Sequence, residues 1–245
     1  MMYSLTEKIE YRINRLVGQL KLKVREITKP EFVEIGGIQL PIPPDISRGP
    51  LEALYAGYYE ASELKILQAK LDKHDRVMEL GTGLGLLASY CARQLGSDNV
   101  FTYEANPALE SFIRQTFAVN HVNPNLNICL LGETPGEQTF YVGKSFWSSS
   151  TIQRRPDDQA IQVTVVPFNQ EIQRIDPTFL ILDIEGGEYE LFQYANLHNV
   201  QKICLELHSK ILGSEKTEFV KQQLAAQGFQ LDPQQRYANE LFFSR

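Results

Sequence analysis

Apolar residues recur every three or four places along the start of the chain: Leu5, Ile9, Ile13, Leu16, Val17, Leu20, Val24 and Ile27. That is the spacing of one helix face, and it predicts an amphipathic helix over residues 4–27. Its polar side carries Lys8, Arg12, Arg15, Lys21, Lys23 and Arg25 mixed with Glu7, Glu10 and Glu26. The acids dilute a membrane-surface reading, so the pattern predicts packing on the rest of the chain or pairing with a second copy. Two short apolar runs, 31–35 and 38–40, flank Gly36-Gly37 and predict a hairpin. Pro41, Pro43 and Pro44 then interrupt regular structure, which divides the chain into an extension over 1–50 and a main domain over 51–245.

From Leu51 the pattern alternates between helical and strand periods. Helices are predicted over 60–71, 108–120, 188–195 and 215–227, and strands over 77–80, 99–103, 126–131, 178–184 and 202–207. Residues 139–142 and 161–166 read as an inserted strand pair. Residues 228–232 and 240–244 read as two strands joined by a Pro-containing loop. Alternation of this kind is the signature of an α/β fold, a parallel sheet covered by helices on both faces.

Composition narrows the function. The chain has 245 residues, 24 basic and 30 acidic, for a net charge of −6. Binding a nucleic acid through its phosphates needs a basic surface, so this balance argues against such a partner. No apolar run reaches the ~20 residues of a membrane span. Three scattered cysteines, Cys91, Cys129 and Cys204, read as buried thiols of a reducing compartment, and the N-terminus lacks a signal-peptide core, which together predict a cytoplasmic protein.

The densest chemical signal is Glu79-Leu80-Gly81-Thr82-Gly83-Leu84-Gly85-Leu86, where a strand ends, turns through three glycines and enters a helix. Glycines let the backbone approach a ligand closely, and the helix N-terminus presents unpaired N–H groups. About twenty residues on, Tyr103-Glu104-Ala105-Asn106 ends the next strand, where an acid meets the ribose of a nucleotide-like cofactor. The dinucleotide fingerprint needs a small residue where Leu86 stands, which counts against a nicotinamide oxidoreductase. The E-x-G-x-G-x-G form resembles motif I of class I S-adenosylmethionine (SAM) methyltransferases. That resemblance implies a loop of Glu79, Gly81, Thr82, Gly83 and Gly85 beneath the methionine part of SAM, with Glu104, Ala105 and Asn106 at the ribose.

Four further segments stand in a fixed order: Gly57-Tyr58-Tyr59-Glu60-Ala61-Ser62-Glu63-Leu64, Ser148-Ser149-Ser150-Thr151, Leu180-Ile181-Leu182-Asp183-Ile184-Glu185-Gly186-Gly187-Glu188, and Leu205-Glu206-Leu207-His208. Order and spacing together resemble the FkbM family of SAM-dependent methyltransferases, from about Ile35 to the C-terminus. The resemblance implies the class I methyltransferase (Rossmann-like) fold, a mostly parallel seven-stranded sheet with helices on both faces that ends in an antiparallel hairpin. The family is known mainly for O-methylation of hydroxyls on sugars and polyketide products, with some members thought to esterify carboxylates. The resemblance implies that Tyr59, Glu60 and Glu63 fold over the cofactor; as residues alone they also read as ordinary helix-start acids. Relatives commonly carry a lysine two places before the aspartate. Here that place holds Ile181, a departure that points to a different acceptor.

Asp183 and Glu185 flank one residue at the end of a buried strand, so both carboxylates project to one side. They are the candidate catalytic residues, with His208 ending the next strand as either a base or a hydrogen-bonded rim residue. Glu188 reads as a cap on the following helix. Phe146, Trp147 and the serines after them form either a cover over the acceptor or a plain surface loop. A hydroxyl acceptor must lose a proton to Asp183, Glu185 or His208, or to a metal-assisted path; Mg²⁺ on Asp183 and Glu185 is the metal weighed, although two acids do not define a site. The expectation is therefore a SAM-dependent methyltransferase acting on the hydroxyl of a small molecule. The alternatives are carboxylate methylation and a non-catalytic SAM-binding scaffold that dimerises through its N-terminal helix.

Overall fold

The computed structural model describes residues 5–44, 46–143, 149–237 and 239–245, with side chains from Leu16 onward except Arg236. Helix α1 (Leu5–Thr28) precedes a hairpin of β1 (Phe32–Ile35) and β2 (Ile38–Pro41), as the apolar spacing predicts. From Leu16 onward the apolar stripe of α1 faces outward, so it is not the face that packs on the rest of the chain. Leu16 and Leu20 are each 65% exposed and Ile27 is 83% exposed. The helix docks instead through its opposite face on α2 (Arg48–Ala56). The Arg25 guanidinium donates to the carbonyls of Tyr55 (2.7 Å) and Leu54 (3.3 Å), and Gly18 lies against the Tyr58 ring, where a side chain would collide.

The main domain alternates as read: α3 (Ala61–Lys70), β3 (Val77–Leu80), α4 (Leu86–Leu95), β4 (Val100–Glu104), α5 (Glu110–Val119) and β5 (Asn125–Ile128). The predicted third strand is in fact two. It breaks after Ile128, and β6 (Leu130–Gly132) joins β7 (Gly136–Val142) and β8 (Gln159–Pro167) in a separate three-stranded sheet. Helix α6 (Phe168–Ile175), which the sequence reading left unassigned, leads into β9 (Phe179–Leu182). Then follow α7 (Glu188–Phe192), β10 (Lys202–Glu206), α8 (Ser209–Ala226), β11 (Gln230–Arg236) and β12 (Glu240–Ser244).

Among the described residues the main sheet has seven strands in the order β11-β12-β10-β9-β3-β4-β5. Strand β12 runs antiparallel to both neighbours, while β10-β9-β3-β4-β5 pair in parallel. The four residues of β9 are all buried and alternate between layers. Phe179 and Ile181 pack with α3, α4, α5 and the N-terminal hairpin; Leu180 and Leu182 pack with α6, α7 and α8. A strand buried on both faces has no polar side to show, hence its unbroken apolar run.

Connections leave β3 towards β4 on one side and β9 towards β10 on the other. The sheet therefore has its topological switch point between β3 and β9, where a crevice opens beyond the carboxyl ends of the strands. Gly81 lies at that crevice with φ +89°, and a Cβ on it would overlap the carbonyl oxygen of Asp183.

Candidate active site

A cavity of about 850 Å³ occupies the crevice, roofed by the small sheet. One end is formed by Gly81, Gly83, Tyr103, Glu104 and Ala105, and the other by Glu63, Asp183, Glu185, Glu206 and Glu240. At the first end, Glu104 closes β4 with its carboxylate turned back to the glycine loop. It accepts from Gly83 N (3.1 Å) and Asn106 N (2.8 Å). Burial nevertheless pushes its carboxyl up to about 7, with those backbone donors opposing the rise. Tyr59 Oη accepts from Leu84 N (3.0 Å), and both Tyr59 and Glu60 lie on Gly83, where a Cβ would meet them. Burial raises the Glu60 carboxyl well above the carboxylate range, and its Oε2 is inaccessible and has no hydrogen-bond donor.

Four residues expected at the cofactor stand behind the wall of the cavity. Glu79 is 1% exposed and accepts from Thr102 Oγ1 through Oε2, while its Oε1 has no partner. Burial pushes its carboxyl up to about 8. Thr82 meets Thr102 in the same buried group, Gly85 packs under Phe117, and Asn106 caps the turn before α5 by accepting from Ala108 N at 3.1 Å. These residues shape the loop from beneath. Ile181, expected to bear on the acceptor, is buried mid-strand and pairs in register with Glu79. Its identity therefore concerns the environment of Glu79.

The other end is strongly acidic. Asp183 Oδ1 is inaccessible and unpartnered, and burial, followed by the charges of Glu206 and Glu185, raises its carboxyl well above the usual range. Glu185 adopts φ +52° and is pinned from the inserted segment: Ser150 Oγ donates to its carbonyl (2.9 Å), and Arg154 donates to that carbonyl and to Oε2 (3.0 Å). A left-handed glutamate persists only where its surroundings over-determine it, as they do here. Glu188, fully buried, accepts from Gly186 N (3.2 Å) and meets His208 Nδ1 at 2.6 Å. It thus holds the turn before α7 and also orients the imidazole. Burial lowers the basicity of His208, but the Glu188 hydrogen bond and the charges of Glu188, Glu185 and Glu206 outweigh it, and the net shift is upward.

His208 does not line the cavity itself; it stands behind Asp183, Glu185 and Glu206. Sequence reasoning missed Glu206, Glu240 and Arg154. Glu206 was readable, because strand alternation puts it on the same side as His208. Arg154 and Glu240 come from a loop and an edge hairpin with no such signal. Phe146, Trp147 and Ser148 lie outside the described residues, whereas Ser149 and Thr151 line the cavity.

The methyltransferase FkbM domain model matches residues 79–231. No curated protein sequence matches. Among solved structures, a methyltransferase from Pyrococcus furiosus is 14% identical, with 94% of this chain and 98% of that one covered at a TM-score of 0.49. The tRNA (uracil-54, C5)-methyltransferase of Pyrococcus abyssi, in complex with S-adenosyl-L-homocysteine, is 12% identical, covering 88% of this chain and 43% of its own at 0.48. An O-methyltransferase from Bacillus cereus is 12% identical, with 93% and 89% covered at 0.41. The family match runs from the motif beneath the glycine loop through the acidic strand ends to the closing hairpin, over more than half of the chain, and the chain belongs to the FkbM methyltransferase family.

Proposed function

We propose that this methyltransferase moves the methyl group of SAM to a hydroxyl of a small, uncharged or cationic molecule. The observation that carries this reading is the charge of the cavity. Among the described residues its lining holds ten carboxylates and no lysine, arginine or histidine. A carboxylate acceptor needs cationic or N–H donors to hold it, and the nearest guanidinium, Arg154, is spent on Glu185. A phosphorylated acceptor or a dinucleotide would likewise find no cationic side chain among these lining residues.

The residues present fit SAM. Gly81 and Gly83 line the cavity, and their lack of a Cβ lets the Asp183 carbonyl and the Tyr59 and Glu60 side chains close on the loop. Glu104 offers an acceptor at the strand end for the two ribose hydroxyls, and the orphaned Oε2 of Glu60 suits an ammonium group. Bound there, SAM supplies a methyl group on a sulfonium, which is already a good leaving group. The protein's work is then to hold the acceptor in line, exclude water and take one proton. We assign that proton to Glu185, which Ser150 and Arg154 fix at the cavity wall. Asp183, at the acidic end, lines the cavity with its backbone carbonyl against Gly81.

A panel of alcohols, sugars, amino-sugars and carboxylic acids incubated with methyl-labelled SAM tests the reading. Label is expected in neutral or cationic hydroxyl compounds. Label confined to carboxylic acids would overturn the acceptor assignment, and SAM binding without transfer to any class would favour a scaffold.

A further inference from the structure

Three oxygens converge on one nitrogen behind the acceptor end of the cavity. His208 Nε2 lies 3.4 Å from Glu185 Oε2, 3.6 Å from Glu206 Oε1 and 3.8 Å from Asp183 Oδ1. Glu188 takes the close hydrogen bond on the other ring nitrogen, Nδ1, at 2.6 Å, while these three oxygens stand off Nε2 by similar amounts. Atoms that share an ion at about 2.1–2.3 Å lie roughly 3–4.5 Å from one another. Donor atoms of Asp183, Glu206 and His208 all fall within 4.8 Å of each other.

Two independent features point to an occupant. The first is the Oδ1 atom of Asp183, which is sealed from solvent and accepts no hydrogen bond. An orphaned carboxylate oxygen is costly without a cation. The second is the orientation of the ring. The buried Glu188 carboxylate holds Nδ1 at 2.6 Å, which leaves Nε2 directed at the carboxylates. This carboxylate–imidazole arrangement fixes the tautomer of a metal-ligating histidine and raises its donor strength.

We propose that Asp183, Glu206 and His208 bind a divalent cation at the acceptor end of the cavity. One nitrogen with two carboxylate oxygens suits an ion of the Mn²⁺ type better than Mg²⁺, which favours all-oxygen sets. This set is preferred to the pair Asp183–Glu185 weighed from sequence, because Arg154 engages Glu185. The role of the cation rests on the hydroxyl reading above: the acceptor hydroxyl enters as a further ligand, its acidity rises, and its proton passes to Glu185 as the oxygen–methyl bond forms and the sulfur–methyl bond breaks.

Binding is measurable without an acceptor. Chelator-treated full-length protein titrated with Mn²⁺, followed by calorimetry and by the loss of the free Mn²⁺ paramagnetic signal, is expected to take up one equivalent. His208→Asn and Glu206→Gln are expected to weaken it at least tenfold, while Glu104→Gln, at the far end of the cavity, leaves it unchanged. Absence of Mn²⁺, Mg²⁺ and Zn²⁺ uptake by the wild-type protein would overturn the proposal, as would uptake indifferent to His208. Methylation of a hydroxyl that persists in full after chelation would remove the cation but keep the acceptor reading. Metal uptake together with transfer only to carboxylic acids would do the reverse.

Discussion

Glu79 is the most exacting place to test the electrostatics of this fold. Its carboxyl is 1% exposed at the end of β3, and burial lifts it from 4.5 to about 8. Between those values the folded protein holds a proton that the unfolded chain has released. Folding then takes up a proton, so stability falls as pH rises through the window, by up to about 1.4 kcal/mol per pH unit. Across the whole window the loss is on the order of 4–5 kcal/mol, an upper bound because a buried carboxylate draws in water and relaxes. Glu79→Gln keeps an acceptor for the Thr102 hydroxyl and removes the charge. Near pH 5 the two proteins should melt within a degree or so of one another. At pH 8 the variant should melt higher by several degrees, at roughly 2–4 °C per kcal/mol for a chain of this size. Differential scanning fluorimetry and urea unfolding at pH 5, 6.5 and 8 give the comparison, and differencing the two proteins cancels the other buried acids. A gap between them that is constant across pH, or that widens towards acid, would refute the reasoning.

Three further outcomes follow from the same geometry. Gly81→Ala puts a Cβ onto the Asp183 carbonyl at a left-handed φ, with backbone on both sides and no side chain to yield; a loss of more than about 2 kcal/mol is expected in urea unfolding, and a neutral result would mean that β3 and β9 are not so close. Asp183→Asn and Glu185→Gln should each cut turnover at least a hundredfold while SAM affinity changes little, so equal losses in rate and SAM binding would move these residues to the cofactor end. We also propose that the outward stripe of α1 pairs with a second copy. Removal of residues 1–27 should then lower the mass seen by light scattering, and a wild-type protein monomeric at high concentration, or one that binds anionic vesicles through α1, would overturn that pairing.

The fold was largely legible because its signals are periodic. The buried runs of β9 and β10 and the glycines after β3 each follow from one local rule, and they locate the crevice without a structure. Failures came where tertiary context decides. Residues 126–131 form one apolar run, yet the chain steps between two sheets inside it, and nothing in the residue types marks the step. Glu79 sits beside the glycine loop in sequence and beneath it in space, so adjacency misled the assignment. For α1 the periodicity located the helix but not its docking face: the helix docks by Gly18 and Arg25, whose fit against α2 depends on close approach and carbonyl positions that periodicity does not encode. The acidic end of the cavity was half visible. Asp183, Glu185 and His208 close consecutive parallel strands, whereas Arg154 reaches Glu185 from a distant loop.

The central claim is that the crevice between β3 and β9 is a SAM site closed by Glu104. Calorimetric titration of the wild-type protein and Glu104→Ala with SAM and with NAD⁺ tests it most directly. Two charge-assisted hydrogen bonds to a ribose are worth about 1.5–3 kcal/mol each. Wild-type protein is expected to bind SAM at one site and not NAD⁺, and Glu104→Ala to lose at least a hundredfold in SAM affinity. Tight NAD⁺ binding, or SAM affinity that is the same with and without the Glu104 carboxylate, would contradict the account.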